Sequence, residues 1–319
     1  MKTVRSARVV ALVATTLAAV GACATSSHEV SPAAGFRSVP PSASSAAPPR
    51  PSAPPPATSS APAPPPKPSC PDTGFDCDLQ ARFAEANAYV EGRPGTSGIV
   101  VHDLRTGAEW HNGHASDLTW TASTIKLAMV VDLYTRQRAG EISLTAEDRS
   151  LIHAMLHTSD DEAADTLWFR YAGADHMSFN DNFPKYGLTS LAPQSGFTEY
   201  YPYWGFQKCT PADLDRLMTY VLTQLPGDER SSIVAELRSV DPIQQWGVWG
   251  AGPAAHPGNK DGWSEEQGGW VMNTVGFVGD GERYVLTVMN NLRGEGGYDT
   301  GRATVTHVAE LIFGGYFPG

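Results

Sequence analysis

The pattern of apolar and polar positions divides the chain into three stretches. Lys2, Arg5 and Arg8 precede an apolar run from Val9 to Val20, which ends in the small residues Gly21 and Ala22 before Cys23. A basic start, a short apolar middle and a small-residue end predict a secretory signal over 1–22. The run falls short of the about 20 residues that a membrane-spanning helix needs, and no later segment is apolar enough to span. Residues 23–69 shift to Pro, Ala and Ser with almost no large apolar side chain and hold more than half of the chain's prolines. Such a stretch cannot bury a core and acts as an extended spacer of roughly 3 Å per residue where it is polyproline-like.

Periodic patterning begins at Cys70 and continues to Gly319, about 250 residues, which predicts one domain. A helix is expected over about Leu79 to Glu91. Ser97 to Asp103 and the stretch around Trp110 alternate in polarity and are split by Arg105-Thr106-Gly107, the signature of a hairpin. Apolar residues at helical spacing predict helices over Thr121 to Arg138 and Leu151 to Tyr171. A third, over Pro211 to Leu225, opens with Thr210 as N-cap and Pro211 in the first turn. Trp270 to Val278 and Tyr284 to Met289, rich in β-branched and aromatic residues, flank the turn Gly279-Asp280-Gly281, and a last helix runs from about Thr300 to Phe313. Strands, helices, strands, helix is an order that implies an α/β domain: a sheet assembled from both chain ends, flanked by helices, with a helical region inserted between.

Charge and cysteine usage narrow the function. The formal net charge is −11 and no basic cluster occurs, which argues against nucleic acid as a partner. Val20-Gly21-Ala22 before Cys23 resembles the lipobox of bacterial lipoproteins, in which the cysteine is lipidated and becomes the mature N-terminus. The resemblance implies export and a lipid anchor on the outer face of the cell membrane, with the Pro-rich spacer holding the domain clear of the lipid. With Cys23 lipidated, three cysteines remain where disulfides can form, so one intrachain pair at most is expected. Cys70 with Cys77 is favoured, around a short loop with Pro71 and Gly74, and pairings that use Cys209 stay open.

The candidate chemistry lies at Ser123-Thr124-Ile125-Lys126, at the start of a predicted helix. Residues three apart on a helix share a face, so Lys126 can approach the Ser123 hydroxyl, and the helix N-terminus offers amide donors to an oxyanion. A serine needs such a base, and a lysine serves once burial or neighbouring positive charge lowers its pKa. Downstream come Met155-Leu156-His157-Thr158-Ser159-Asp160-Asp161-Glu162-Ala163-Ala164-Asp165 and then Lys260-Asp261-Gly262. Together these resemble the Ser-x-x-Lys, Ser-Asp-Asn and Lys-Thr-Gly boxes of the serine β-lactamase and penicillin-binding protein superfamily, the second box and Thr210-Pro211 looking most like class A. The resemblance covers most of Ser97 to Phe313. It implies a β-lactamase-like fold and an acyl-enzyme hydrolase acting on β-lactams or D-alanyl cell-wall peptides, without a cofactor. Ser123 would be the nucleophile and Lys126 its base or proton shuttle. Ser159 would relay a proton to the leaving group beside the charge of Lys260, and the amides of Ser123 and Trp263 would form the oxyanion hole. Asp161, Asp261 and Gly262 would contact substrate.

Three departures set expectations apart from the family. Asp161 stands where the family has an asparagine, so it accepts but cannot donate to a substrate carbonyl, and it is free to pair with Lys126. Asp261 replaces a threonine; facing the cleft and ionised, it would repel a substrate carboxylate by about 1 kcal/mol in water and about 4 at an effective dielectric of 20. Between Tyr171 and Cys209 no glutamate matches the class A base for deacylation, Glu199 being the sole glutamate there. Slow turnover of an acyl-enzyme follows, or else a catalytically weakened binding module. Other chemistries fit poorly. His153 and His157 lack the adjacent Glu of a zinc peptidase, and Gly-x-Ser-x-Gly, Walker and dinucleotide motifs are absent. Trp246, Trp249, Trp263 and Trp270 read as core and cleft packing.

Overall fold

A computed structural model describes residues 70–317 other than 197 and 267; the expected signal, Cys23 and the whole Pro-rich spacer lie outside the described residues. In chain order the elements are α1 (Cys77–Glu91), β1 (Thr96–Asp103), β2 (Ala108–His111), β3 (Thr119–Trp120), α2 (Ile125–Arg138), α3 (Ala146–His157), α4 (Asp161–Tyr171), α5 (Ser178–Asn182), β4 (Ala192–Pro193), β5 (Gln207–Cys209), α6 (Pro211–Thr223), α7 (Gly227–Arg238), β6 (Gly258–Glu266), β7 (Gly269–Val278), β8 (Tyr284–Asn291) and α8 (Tyr298–Phe313). Cys70 is bridged to Cys77 and Cys209 is a buried free thiol.

The main sheet is antiparallel in the order β2-β1-β8-β7-β6, so strands from both ends of the domain join in one sheet as the element order implies. β1 and β8 pair over Thr96↔Asn291 to Asp103↔Tyr284, which joins the two chain ends at the centre of the sheet. α1 and α8 cover one face, with Phe83, Val101, Leu286, Val308 and Phe313 in one core cluster. The helical insertion packs on the other face around α2, in which every residue from Ile125 to Leu133 is buried. A helix buried all round is the centre of a layer, not its surface, and α2 carries Lys126 and Asp132 into that interior. The Thr210 cap is reciprocated: its hydroxyl accepts from Asp213 N (3.1 Å), and Asp213 Oδ2 accepts from Thr210 N (2.9 Å).

Three expected boundaries change. The stretch foreseen as one helix from Leu151 to Tyr171 is two, because Ser159 turns left-handed (φ 61°) and Asp160 caps a new helix by accepting from Ala163 N at 2.8 Å. Lys260-Asp261-Gly262, expected just before the last strands, lies inside β6, the edge strand. α7 has no counterpart in the expected elements; its buried side chains are Ile233, Val234 and Leu237, too few to declare themselves by period.

Candidate active site

Ser123 sits in a 3-10 turn, Ala122–Thr124, that runs straight into α2. Ala122 before it is held at φ 45°, a conformation that costs a non-glycine residue about 1–3 kcal/mol and that concentrates at functional sites. Two groups on the sheet hold the turn. Asn273 of β7 donates to Trp120 O (2.8 Å) and Thr121 O (3.1 Å). Its register partner is Gly262 of β6, where an added Cβ would lie 2.7 Å from Thr124 N and 2.9 Å from Ser123 N. Only glycine lets the strand approach the nucleophile's backbone this closely.

Lys126, one turn on, is fully buried. Its Nζ donates to Ser159 O (2.7 Å), Ser159 Oγ (3.4 Å) and Asp161 Oδ1 (2.5 Å), and stands 4.7 Å from the Trp204 ring centre. Ser123 is not among its hydrogen-bond partners. Burial pushes the Lys126 pKa below its usual value, while the carboxylates of Asp161, Asp160 and Asp165 oppose that shift. The left-handed turn at Ser159 is what brings its carbonyl and hydroxyl over the amine, so the break between α3 and α4 is part of the site. Asp161 and Asp165, four apart on α4, share a face. Asp165 accepts from Tyr203 OH and from Trp204 Nε1 (2.7 Å).

Ser123, Asp161, Asp165 and Trp204 border a cleft of about 340 Å³, which Trp263 and Ser264 line from the strand side. A larger groove of about 810 Å³ beside α1 and α8 is bordered by Arg93, Arg302 and His307 but by no serine or cysteine.

The strand side differs from expectation. Asp261, foreseen at the substrate, is fully buried. Its Oδ1 accepts from Asn259 Nδ2 at 2.6 Å, and it does not border the cleft. Burial pushes its carboxyl well above the usual range, against the opposing effects of Thr274, Lys260 and Asn259. Lys260, foreseen as charge beside Ser159, is also fully buried and donates to Gln244 Oε1 and to Asp261 O (2.7 Å). Burial, helped by the charge of Lys126, pushes its pKa well below normal. Trp263 does border the cleft, its ring meeting Trp246 and Tyr298 edge-on. Asp261 N donates off the open edge of the sheet to Gln244 Oε1 (3.3 Å). Amides two apart in a strand point the same way, so Trp263 N–H also leaves the sheet at that edge, next to the Ser123 turn.

Gln244 was missed from sequence. Its amide donates to Leu156 O (2.7 Å) and His157 O (2.9 Å), the open end of α3 just before Ser159, while its oxygen takes Lys260 and Asp261 N. Nothing in Asp241-Pro242-Ile243-Gln244 signals that role. Asn273 had a signal, an amide side chain inside the largely apolar run of β7. Glu199 is exposed and away from the cleft; its aromatic neighbours Tyr203 and Trp204 form the wall instead.

Residues 81–148 match the model of the Beta-lactamase enzyme family. The fold is that of the serine β-lactamase and penicillin-binding protein superfamily: a β-lactamase from Streptosporangium roseum superposes with a TM-score of 0.60 at 16% identity, covering 73% of this chain and 97% of that one. PBP-A superposes at 0.61 with 18% identity over 75% and 96% of the two chains. Among curated proteins, "Putative lipoprotein LppW" of Mycobacterium tuberculosis, and its namesake in Mycobacterium bovis, are 28% identical over 253 residues, 76% of this chain and 77% of theirs.

Proposed function

We propose that the chain is a serine acyl-enzyme hydrolase that takes β-lactams or D-alanyl cell-wall peptides onto Ser123, with slow deacylation, from an exported domain anchored by lipid on Cys23. The observation that carries this reading is one cleft in which Ser123 starts a helix while a buried, pKa-depressed Lys126 lies beneath it and is bonded to Ser159. A neutral Lys126 amine takes the Ser123 proton as the hydroxyl attacks the carbonyl, and the outward amides of Ser123 and Trp263 receive the developing oxyanion, each contributing a few kcal/mol. Ser159 then passes its proton to the leaving group and takes back the one held by Lys126, whose Nζ is 3.4 Å from its hydroxyl. Slow deacylation is supported by the carboxylates of the cleft, because Asp161 is engaged by Lys126 and Asp165 by Tyr203 and Trp204. Neither is left to activate water. The lipoprotein name of the curated relatives supports the anchor.

A second reading, a cell-wall binding module on the same fold, is favoured by the Lys126 contacts: its hydrogen bonds go to Ser159 and Asp161, which holds it as an ammonium. Intact-mass analysis after incubation with penicillins and fluorophosphonate probes separates the two. The enzyme reading expects one stable adduct on the wild type and none on Ser123→Ala. Labelling that survives Ser123→Ala, or a wild type that takes no adduct, overturns it.

A further inference from the structure

β1 and β2 form the outer hairpin of the main sheet, and in their register His102 stands directly opposite Glu109. Cross-strand partners project from the same face. On that face α6 presents Asp215 and, one turn later, Thr219: His102 Nδ1 is 3.4 Å from Asp215 Oδ2 and 3.3 Å from Thr219 Oγ1. Ligand atoms of His102, Glu109 and Asp215 all lie within 4.8 Å of one another. Asp215 is the informative member. Its side chain is 4% exposed, and its Oδ1 is buried with no hydrogen-bond partner, an arrangement native interiors seldom keep without a use for the atom. All three residues border a surface cavity of about 360 Å³, which gives an ion a path from solvent.

We propose that His102, Glu109 and Asp215 bind a divalent transition-metal ion, zinc foremost. One imidazole with two carboxylates is a borderline donor set that suits zinc, whereas calcium and magnesium favour shells made of oxygen alone. Zinc bonds of about 2.0–2.2 Å put tetrahedral donors about 3.4 Å apart, so the set must contract on binding. Glu109 is exposed and is the arm that moves, while Asp215 is fixed by α6. None of the three borders the Ser123 cleft. The ion therefore acts as a cross-link between the sheet and the helical insertion, not as part of the acylation chemistry.

Calorimetric titration of the chelator-stripped full chain with zinc, and in parallel with calcium and magnesium, tests this. The expected result is one zinc per chain at micromolar Kd or tighter, weakened at least about tenfold by His102→Ala, Asp215→Asn and Glu109→Gln and unaltered by His153→Ala. At a zinc concentration 100-fold above the wild-type Kd the melting temperature rises by about 5–10 °C, and at that concentration the rise is cut by about half or more in the three ligand variants. Glu109→Gln, at an exposed position, keeps the test valid where a buried substitution misfolds. Zinc binding weaker than about 100 µM, zinc binding indifferent to Glu109→Gln, or calcium bound more tightly than zinc would overturn the proposal.

Discussion

The two walls of the Ser123 cleft are built from opposite halves of the fold and treat their charged groups in opposite ways. The helical wall gathers its polar side chains: Lys126 bonds Ser159 in the break before α4 and Asp161 just after it, one turn on from Ser123 at the head of α2. On the strand wall Lys260 and Asp261 turn away from the cleft, to Gln244 and Asn259, leaving a glycine approach, an amide and the Trp263 ring. A helix end gathers side chains from neighbouring turns. An edge strand offers its outward amides whatever its sequence, and the side chains beside them are free to serve the interior.

The two buried lysines give the largest expected contrast. Lys126→Met removes the only amine bonded to Ser159 among the described residues and lowers the rate of acylation by about 10²- to 10⁴-fold. Lys260→Met strips a donor from Gln244 Oε1, which keeps the Asp261 amide, and it changes that rate by less than about tenfold while shifting stability by about 1–3 kcal/mol. Single-turnover acylation by a chromogenic cephalosporin, read beside thermal melts, measures both. Equal losses at the two lysines would erase the distinction between the walls.

The helical wall can be sharpened through Asp161. Its carboxylate stabilises the Lys126 ammonium and so holds the amine's pKa up against burial. Asp161→Asn removes that support, more of Lys126 is neutral at a given pH, and the rising limb of the acylation profile moves to lower pH. At neutral pH acylation becomes faster by about 3- to 10-fold. A limb that stays in place would mean that another group limits the reaction.

How far the sequence made these walls legible follows the same division. The sheet built from both chain ends could be read because β7 and β8 are β-branched and aromatic and flank a glycine turn, and α6 because its cap and first turn are spelled by Thr210 and Pro211. Ser123 and Lys126 were singled out because Ser-x-x-Lys is followed in order by two further boxes resembling a known family pattern, spacing alone being a weak signal, and the structure puts Ser123 in the 3-10 turn ahead of α2. Ser159 was found, but its backbone was not: apolar residues at Met155, Leu156, Ala163 and Ala164 keep a helical rhythm across the break, and a left-handed serine leaves no mark in composition. β6 was hidden for the converse reason. Asn259, Lys260 and Asp261 make its start look like a polar loop, and only the buried partners from Gln244 to Thr274 turn it into a strand. The direction of Asp261 was beyond reach because strand side chains alternate between faces, so a single step of register decides which side a carboxylate takes.

That direction can be tested without reference to catalysis. Asp261 is fully buried, and burial raises its carboxyl pKa in the folded protein well above the usual range. In the unfolded chain the group ionises near pH 3.9. Below that pH both states hold the proton and the group costs nothing. As pH rises toward the folded pKa the unfolded state releases its proton while the folded state keeps it, so stability falls. Asp261→Asn has no such proton, so the variant should match the wild type near pH 4 and become more stable than it by about 1–3 kcal/mol by pH 8. Denaturant melts of both proteins across that range measure the gap. The same burial predicts that Asp261→Thr leaves unchanged the ratio of acylation rates for a matched acid and ester substrate, because a carboxyl directed at Asn259 repels nothing in the cleft. A gap that stays flat with pH, together with a ratio that moves toward the acid, would return Asp261 to the substrate side and make the two walls alike.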